Sequence, residues 1–151
     1  MSDLERFKSL FRGREDAYGQ YARPSEELGG DKRLGDRFTA IVGRGGHEPL
    51  NDKHWQAHLA GEMGLGITPV QLDGTVGFFV FDVDKYGVGS ELHVKLQKRI
   101  DKIGLPLVVT RSKSGGAHIW CFLTHPMPAA DAIKIMKDWK PKLGFDPADK
   151  K

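Results

Sequence analysis

The run Val76-Gly77-Phe78-Phe79-Val80-Phe81 carries no polar side chain and ends in two acids one residue apart, Asp82 and Asp84. A short apolar run rich in aromatic and β-branched residues predicts a buried strand over roughly 76–83. Side chains alternate faces along a strand, so Asp82 and Asp84 share one face. An isolated pair of this kind can simply meet solvent at a strand end. At the edge of a buried sheet, however, two carboxylates repel unless a cation lies between them. Mg²⁺ or Mn²⁺, hard ions that favour oxygen ligands, suits such a pair.

Some thirty residues later comes Thr110-Arg111-Ser112-Lys113-Ser114-Gly115-Gly116-Ala117-His118. Ser-Gly-Gly is good turn chemistry, and a plain hairpin is one reading of it. That reading leaves Arg111, Lys113 and His118 unexplained. Two glycines let backbone approach a phosphate closely, and N–H groups there can form an anion nest. Ser112 or Ser114 adds a hydroxyl donor, and His118 a ring N–H. Together with the two acids, the segment points to nucleotide chemistry.

The pattern along the chain predicts an α+β protein, a mostly antiparallel sheet backed by helices. Leu4, Phe7, Leu10 and Phe11 recur at helical spacing behind Ser2 or Asp3 as cap. Residues 24–35 read as a surface loop and 38–42 as a short strand. Asn51 or Asp52 caps a helix reaching about Glu62, and extended structure follows over 64–70. The stripe Leu92, Leu96, Ile100 and Ile103 predicts a helix closed by Gly104. Strands follow at 107–111 and 117–123, paired across the Ser/Gly turn. A last helix presents Ala132, Ile135, Met136 and Trp139, ended by Pro141 and Gly144.

With 151 residues the chain is long enough for one domain with a real core, and its net charge of +3 is a mild basic bias. One cysteine, Cys121, excludes an intrachain disulfide and a cysteine-based zinc site, and points to a reducing compartment. No apolar stretch approaches the length of a membrane span, and residues 1–14 are too charged for a signal peptide. The expectation is a cytoplasmic protein with no membrane partner. His54 and His58 stand four apart on a predicted helix, but Trp55 replaces the companion glutamate of helical zinc motifs, which leaves His58 to pack or to touch a nucleotide. Arg12 and Arg14 fit a solvated turn or contacts to a nucleic-acid backbone. Trp55 and Trp139 read as core and Trp120 as buried support for the strand. His47, His93 and His125 receive no role.

The combination resembles the archaeo-eukaryotic primase superfamily, with its D-x-D, S-x-H and third acidic motifs, and is most similar to primase domains of phage replication proteins and TOTE conflict systems. The similarity rests on Phe11-Arg12-Gly13-Arg14-Glu15-Asp16-Ala17-Tyr18, on His58-Leu59-Ala60-Gly61 with Gly66-Ile67-Thr68-Pro69-Val70, and on Arg111 through Trp120. It implies an RRM-like core over about 71–151 behind an N-terminal α/β module over about 1–70, in one domain spanning 1–151. It implies primase or primase-polymerase activity, transferring nucleotides from NTP or dNTP on a single-stranded DNA template during DNA replication in a bacterial or phage-infected cell. A helicase domain or protein is the implied companion. Asp82 and Asp84 become the metal ligands, with His118 completing the catalytic set. Arg111, Ser112, Lys113, Ser114, Gly115, Gly116 and His118 become the nucleotide-binding set. Arg12, Arg14 and His58 become nucleic-acid contacts. The family's third acid lies on a strand after the last helix, whereas Asp146 and Asp149 fall in a predicted loop beside Pro147, so the sequence reads as a domain truncated at its C-terminus. The alternative is a non-catalytic nucleotide- or single-strand-binding module. A haloacid-dehalogenase-type phosphatase also uses D-x-D after an apolar strand, but Lys85 and Tyr86 follow the pair here and no Rossmann alternation is visible.

Overall fold

The computed structural model describes residues 1–21, 37–41, 48–83, 91–112 and 115–144. Asp84, Lys113, Ser114, His47, Asp146 and Asp149 lie outside the described residues, as does all of the expected 24–35 loop. The architecture is α+β with antiparallel sheets, as the sequence predicts. The chain divides into two compact units, Met1–Asp73 and Gly74–Lys151. No described helix is long and apolar enough to cross a membrane.

The first unit contains α1 (Asp3–Leu10), β1 (Ala17–Tyr21), β2 (Arg37–Ile41), α2 (Asp52–Leu59) and β3 (Gly64–Ile67). Its three strands form an antiparallel sheet in the order β2-β1-β3. Ser2 and Glu5 close a reciprocal capping box on α1, and Asn51 caps α2 by accepting from the Lys53 N–H at 3.0 Å. Phe7 of α1 meets the buried Trp55 of α2 edge-on, ring centres 5.9 Å apart. Tyr18 is 1% exposed, and its hydroxyl donates to the Glu48 carbonyl at 2.8 Å. Burial pushes that phenol above its ordinary pKa.

The second unit contains β4 (Thr75–Val83), α3 (Glu91–Ile103), β5 (Val108–Arg111), β6 (Ala117–Pro128) and α4 (Ala129–Lys142). Strand order is β4-β6-β5, all antiparallel, so the β4-α3-β5 connection steps across the place taken by β6. α3 packs on β5, and α4 on β4 and β6. Both helices bury their apolar stripes against Val76, Phe79, Phe81 and Val83 of β4 and Ala117, Ile119 and Cys121 of β6. The spacing 76-79-81-83 departs from strict alternation. A register shift between the pairs Val76↔Met127 and Phe78↔Phe122 accounts for it. Burial raises the Cys121 thiol pKa, which keeps the side chain neutral near pH 7.

Three boundaries differ from expectation. Ala17–Tyr21 is a strand that the sequence pattern does not announce. β6 runs on to Pro128 instead of stopping near 123. α4 continues through Pro141 to Lys142. At its end Gly144 adopts φ +86°, and the Arg99 Nε–H donates to the Lys142 carbonyl at 2.8 Å. An orphan carbonyl of the last turn thus gains a cationic donor from α3.

Candidate functional site

The core-facing residues of the second unit leave the alternate side chains on the sheet face away from α3 and α4. Register places them in rows. Asp82, His118 and Thr110 are directly opposite one another across β4, β6 and β5. The next row is Val80, Trp120 and Val108, and beyond it Phe78 faces Phe122.

Asp82 thus emerges at the end of a strand whose other face is anchored in the core. Its side chain is 59% exposed, that of His118 is 36% exposed, and His118 Nε2 stands 3.5 Å from Asp82 Oδ1. This separation is long for a hydrogen bond and brings the carboxylate and imidazole to the same spot without locking them together. His118 is held from behind instead. Trp120 meets it edge-on with ring centres 5.4 Å apart, and the Trp120 indole N–H donates to Thr110 Oγ1 at 2.8 Å. Trp120 also stacks on Phe122, with ring planes only 8° apart. Trp120, expected as buried support, is instead half-exposed on this face, where it braces the His118 ring.

Arg111 at the end of β5 and Ala117 at the start of β6 bracket the glycine turn. Ser112 N–H donates to the Gly116 carbonyl at 2.9 Å, and Gly115 N–H donates to the Ser112 carbonyl at 3.1 Å. Gly115 takes φ +89°, which glycine adopts without steric cost. At Gly116 an added Cβ would lie 2.2 Å from the Val83 carbonyl oxygen, so the turn lies directly on the end of the strand that carries Asp82. Two of the turn's N–H groups are spent inside it. Beside it the Arg111 guanidinium, the Ser112 hydroxyl and the His118 ring are side-chain donors for an anion among the described residues. Arg111 is exposed and has no acidic partner among the described residues.

One residue here escapes sequence reasoning. His93, on the first turn of α3, donates through Nε2 to the Gly116 carbonyl at 2.9 Å. It ties the glycine turn to the helix. In the sequence it is a lone histidine on a helix, and only the fold reveals its partner 23 residues away.

In the first unit Arg12 is exposed and lines two neighbouring clefts, of about 250 and about 460 Å³. Gly13 sits where an added Cβ would meet the Thr68 carbonyl at 2.3 Å, and Arg14 N–H donates to that same carbonyl at 3.0 Å. Arg14 is engaged by Asp16 through two bonds, at 2.8 and 2.5 Å. The shared bonds raise the guanidinium pKa and hold the Asp16 carboxyl below its usual range. Of the two arginines, Arg12 is thus the one with no acidic partner among the described residues. His58 packs its ring near Phe7, and its Nδ1 lies 3.2 Å from the Met63 carbonyl. His54 uses both nitrogens, Nδ1 with the Asn51 N–H and Nε2 with the Tyr18 hydroxyl. Among the described residues no three potential ligands cluster for a metal ion.

Residues 37–143 match the protein family described as the archaeo-eukaryotic primase domain of TOTE conflict systems. The match runs from β2 to α4 and takes in both the acidic strand and the glycine turn, while Arg12 and Arg14 fall before it. Comparison with curated proteins gives no match.

Proposed function

The chain belongs to the archaeo-eukaryotic primase domains of TOTE conflict systems, and on that premise we propose that it is a primase-polymerase catalytic domain. It takes an NTP or dNTP and extends a primer on single-stranded DNA. The 3′-oxygen of the primer bonds to the α-phosphorus as the bond to the bridging oxygen breaks. Pyrophosphate leaves, and the hydroxyl proton passes to solvent. The observation that carries the reading is the direct pairing of Asp82 with His118 across β4 and β6, beside a glycine turn flanked by Arg111 and Ser112.

Primase-family domains generally use divalent metals. Asp82 fits one: it is a hard oxygen donor, solvated, at the end of a core-anchored strand, with no lysine or arginine paired to it among the described residues. We assign Asp82 and Asp84 as the residues that hold Mg²⁺ or Mn²⁺. Bound there, the ion would neutralise phosphate charge and favour attack at the α-phosphorus. In this reading His118 donates its Nε2–H to a phosphate oxygen. Arg111 and Ser112 steady the outer phosphates, joined by Lys113 and Ser114. Template contacts run mainly through the backbone, so template affinity falls with salt.

The test is nucleotide incorporation on primed and unprimed single-stranded DNA with Mn²⁺ or Mg²⁺. Asp82→Asn should lower incorporation by roughly 10²-fold or more, the scale of losing a metal ligand's share of transition-state stabilisation. EDTA should abolish it. An Asp82→Asn variant as active as the wild type would sink the assignment. Binding of single-stranded DNA that survives EDTA, with no incorporation by the wild type, would leave a binding module in its place.

A further inference from the structure

On the helical side of the second unit, away from the sheet face that carries Asp82 and His118, α3 borders a cleft of about 590 Å³. Among the described residues that line it, four are cations, Lys95, Lys98, Arg99 and Lys102, and none is acidic. At 100° per residue the four fall within an arc of about 100° on the helix. Lys95 and Lys102 are separated by about 10 Å of helix axis at 1.5 Å per residue. Leu96 and Ile103 form an apolar floor, with Ile103 left 37% exposed.

Local helix chemistry accounts for only part of this. Arg99 is committed to the Lys142 carbonyl at the end of α4, and this fixes its guanidinium at one wall of the cleft. Lys102 lies in the last turn of α3, where a cation complements the helix dipole. Lys95 pairs with Glu91 four residues earlier at 3.1 Å, with both ends largely in solvent, so the pair is weak and readily exchanged. Lys98 has no acidic partner among the described residues, and the dipole at the last turn does not reach it. The result is one fixed guanidinium with three ammonium groups able to turn toward it, at helical-turn spacing, with Glu91 as their one acidic partner among the described residues.

We propose that this cleft is a second contact site for a nucleic-acid strand, engaging successive backbone phosphates independently of base sequence. Phosphates suit it because the anions must be several, regularly spaced and fully charged. Among the described residues no aromatic ring lines the cleft to read a base. The site does not depend on the catalytic assignment, since it lies on the opposite face of the sheet.

The test is filter binding of single-stranded DNA across a salt series. Each lost phosphate contact lowers the slope of log K against log salt by about 0.7 for a single strand. Lys98→Ala/Lys102→Ala should therefore lower the slope by about 1.4, and alanine keeps the helix intact. Lys134→Ala/Lys137→Ala, which removes the same charge from α4 outside the cleft, should leave the slope unchanged. The slope is read without metal or nucleotide, so it does not test the catalytic assignment, and failure of the two readings is separable. A Lys98/Lys102 variant with the wild-type slope would overturn the proposal, as would equal loss in the α4 control. If the double variant lost binding to polyglutamate while binding DNA normally, the cleft would belong to an acidic protein partner and the proposal would fail.

Discussion

An alanine methyl at position 116 would sit 2.2 Å from the Val83 carbonyl oxygen, closer than real Cβ atoms approach. The turn would have to lift off the strand that carries Asp82. Gly116→Ala should therefore reduce incorporation strongly while costing about 1–3 kcal/mol of stability, as overpacking does. Steady-state kinetics beside a denaturant melt would check both halves. His93 acts on the same turn from the other side through its bond to the Gly116 carbonyl. We expect His93→Ala to raise the KM for nucleotide by roughly 3–10-fold, the worth of one hydrogen bond, with little change in kcat. His93→Gln, which keeps an N–H donor, should recover part of the loss. Equal falls in kcat for both variants would count against a positioning role. At Asp16 the consequence is one of pH. Its folded carboxyl binds a proton less readily than the unfolded one, because Arg14 donates to it twice. The unfolded chain then holds more protons in the acid range, so stability rises with pH there. The contribution is complete above the ordinary carboxylate range, about pH 4, and fades as pH falls through the lowered value. Asp16→Asn should flatten that acid limb slightly in a melt series between pH 2 and 5. The effect is small because the pair faces solvent.

At the scale of single elements, α3 shows how a stripe sorts its residues. Ile100 is buried, whereas Ile103 is more than a third exposed at the helix end. Ile100→Ala should cost about 2–5 kcal/mol and Ile103→Ala much less, measured by urea denaturation. The helix was legible because Leu92, Leu96 and Ile100 repeat at its period, and Gly104 at φ +68° stops it as predicted. β4 was legible because six successive residues without polar side chains admit little else. β1 was not. Ala17-Tyr18-Gly19-Gln20-Tyr21 has a glycine at its centre and no apolar run, and its extended form comes from neighbours on both sides, β2 and β3. The extension of β6 runs through Pro126 and Pro128, residues without the N–H that an interior strand needs. They are tolerated because β5 pairs only with Ala117–Trp120, so the distal half of β6 has β4 alone beside it. In the candidate site, residue types and order were visible in the sequence, but the rows across the sheet were not. Opposition of Asp82, His118 and Thr110 depends on register, which no local pattern of that segment specifies.

Over the whole molecule, burial is distributed unevenly. The second unit holds the large cluster that joins β4 and β6 to both helices, whereas the buried hydrophobics described in the first unit are Tyr18 and Trp55. Amide exchange should accordingly be slowest in β4, β6 and the buried side of α4, and faster throughout α1 and β3. Uniform protection across both units would contradict this. Such a distribution keeps the strand that bears Asp82 rigid while leaving the first unit easier to open. The same arrangement gives the protein its own optical gauges. Its three tryptophans occupy three different settings: Trp55 inside the first unit, Trp139 against Phe79 under the sheet, and Trp120 on the face beside His118. With Trp55→Phe and Trp139→Phe in place, the remaining indole emission would come from within one residue step of the candidate site. A nucleotide settling against His118 should then be visible as a change in colour or brightness, without any label attached.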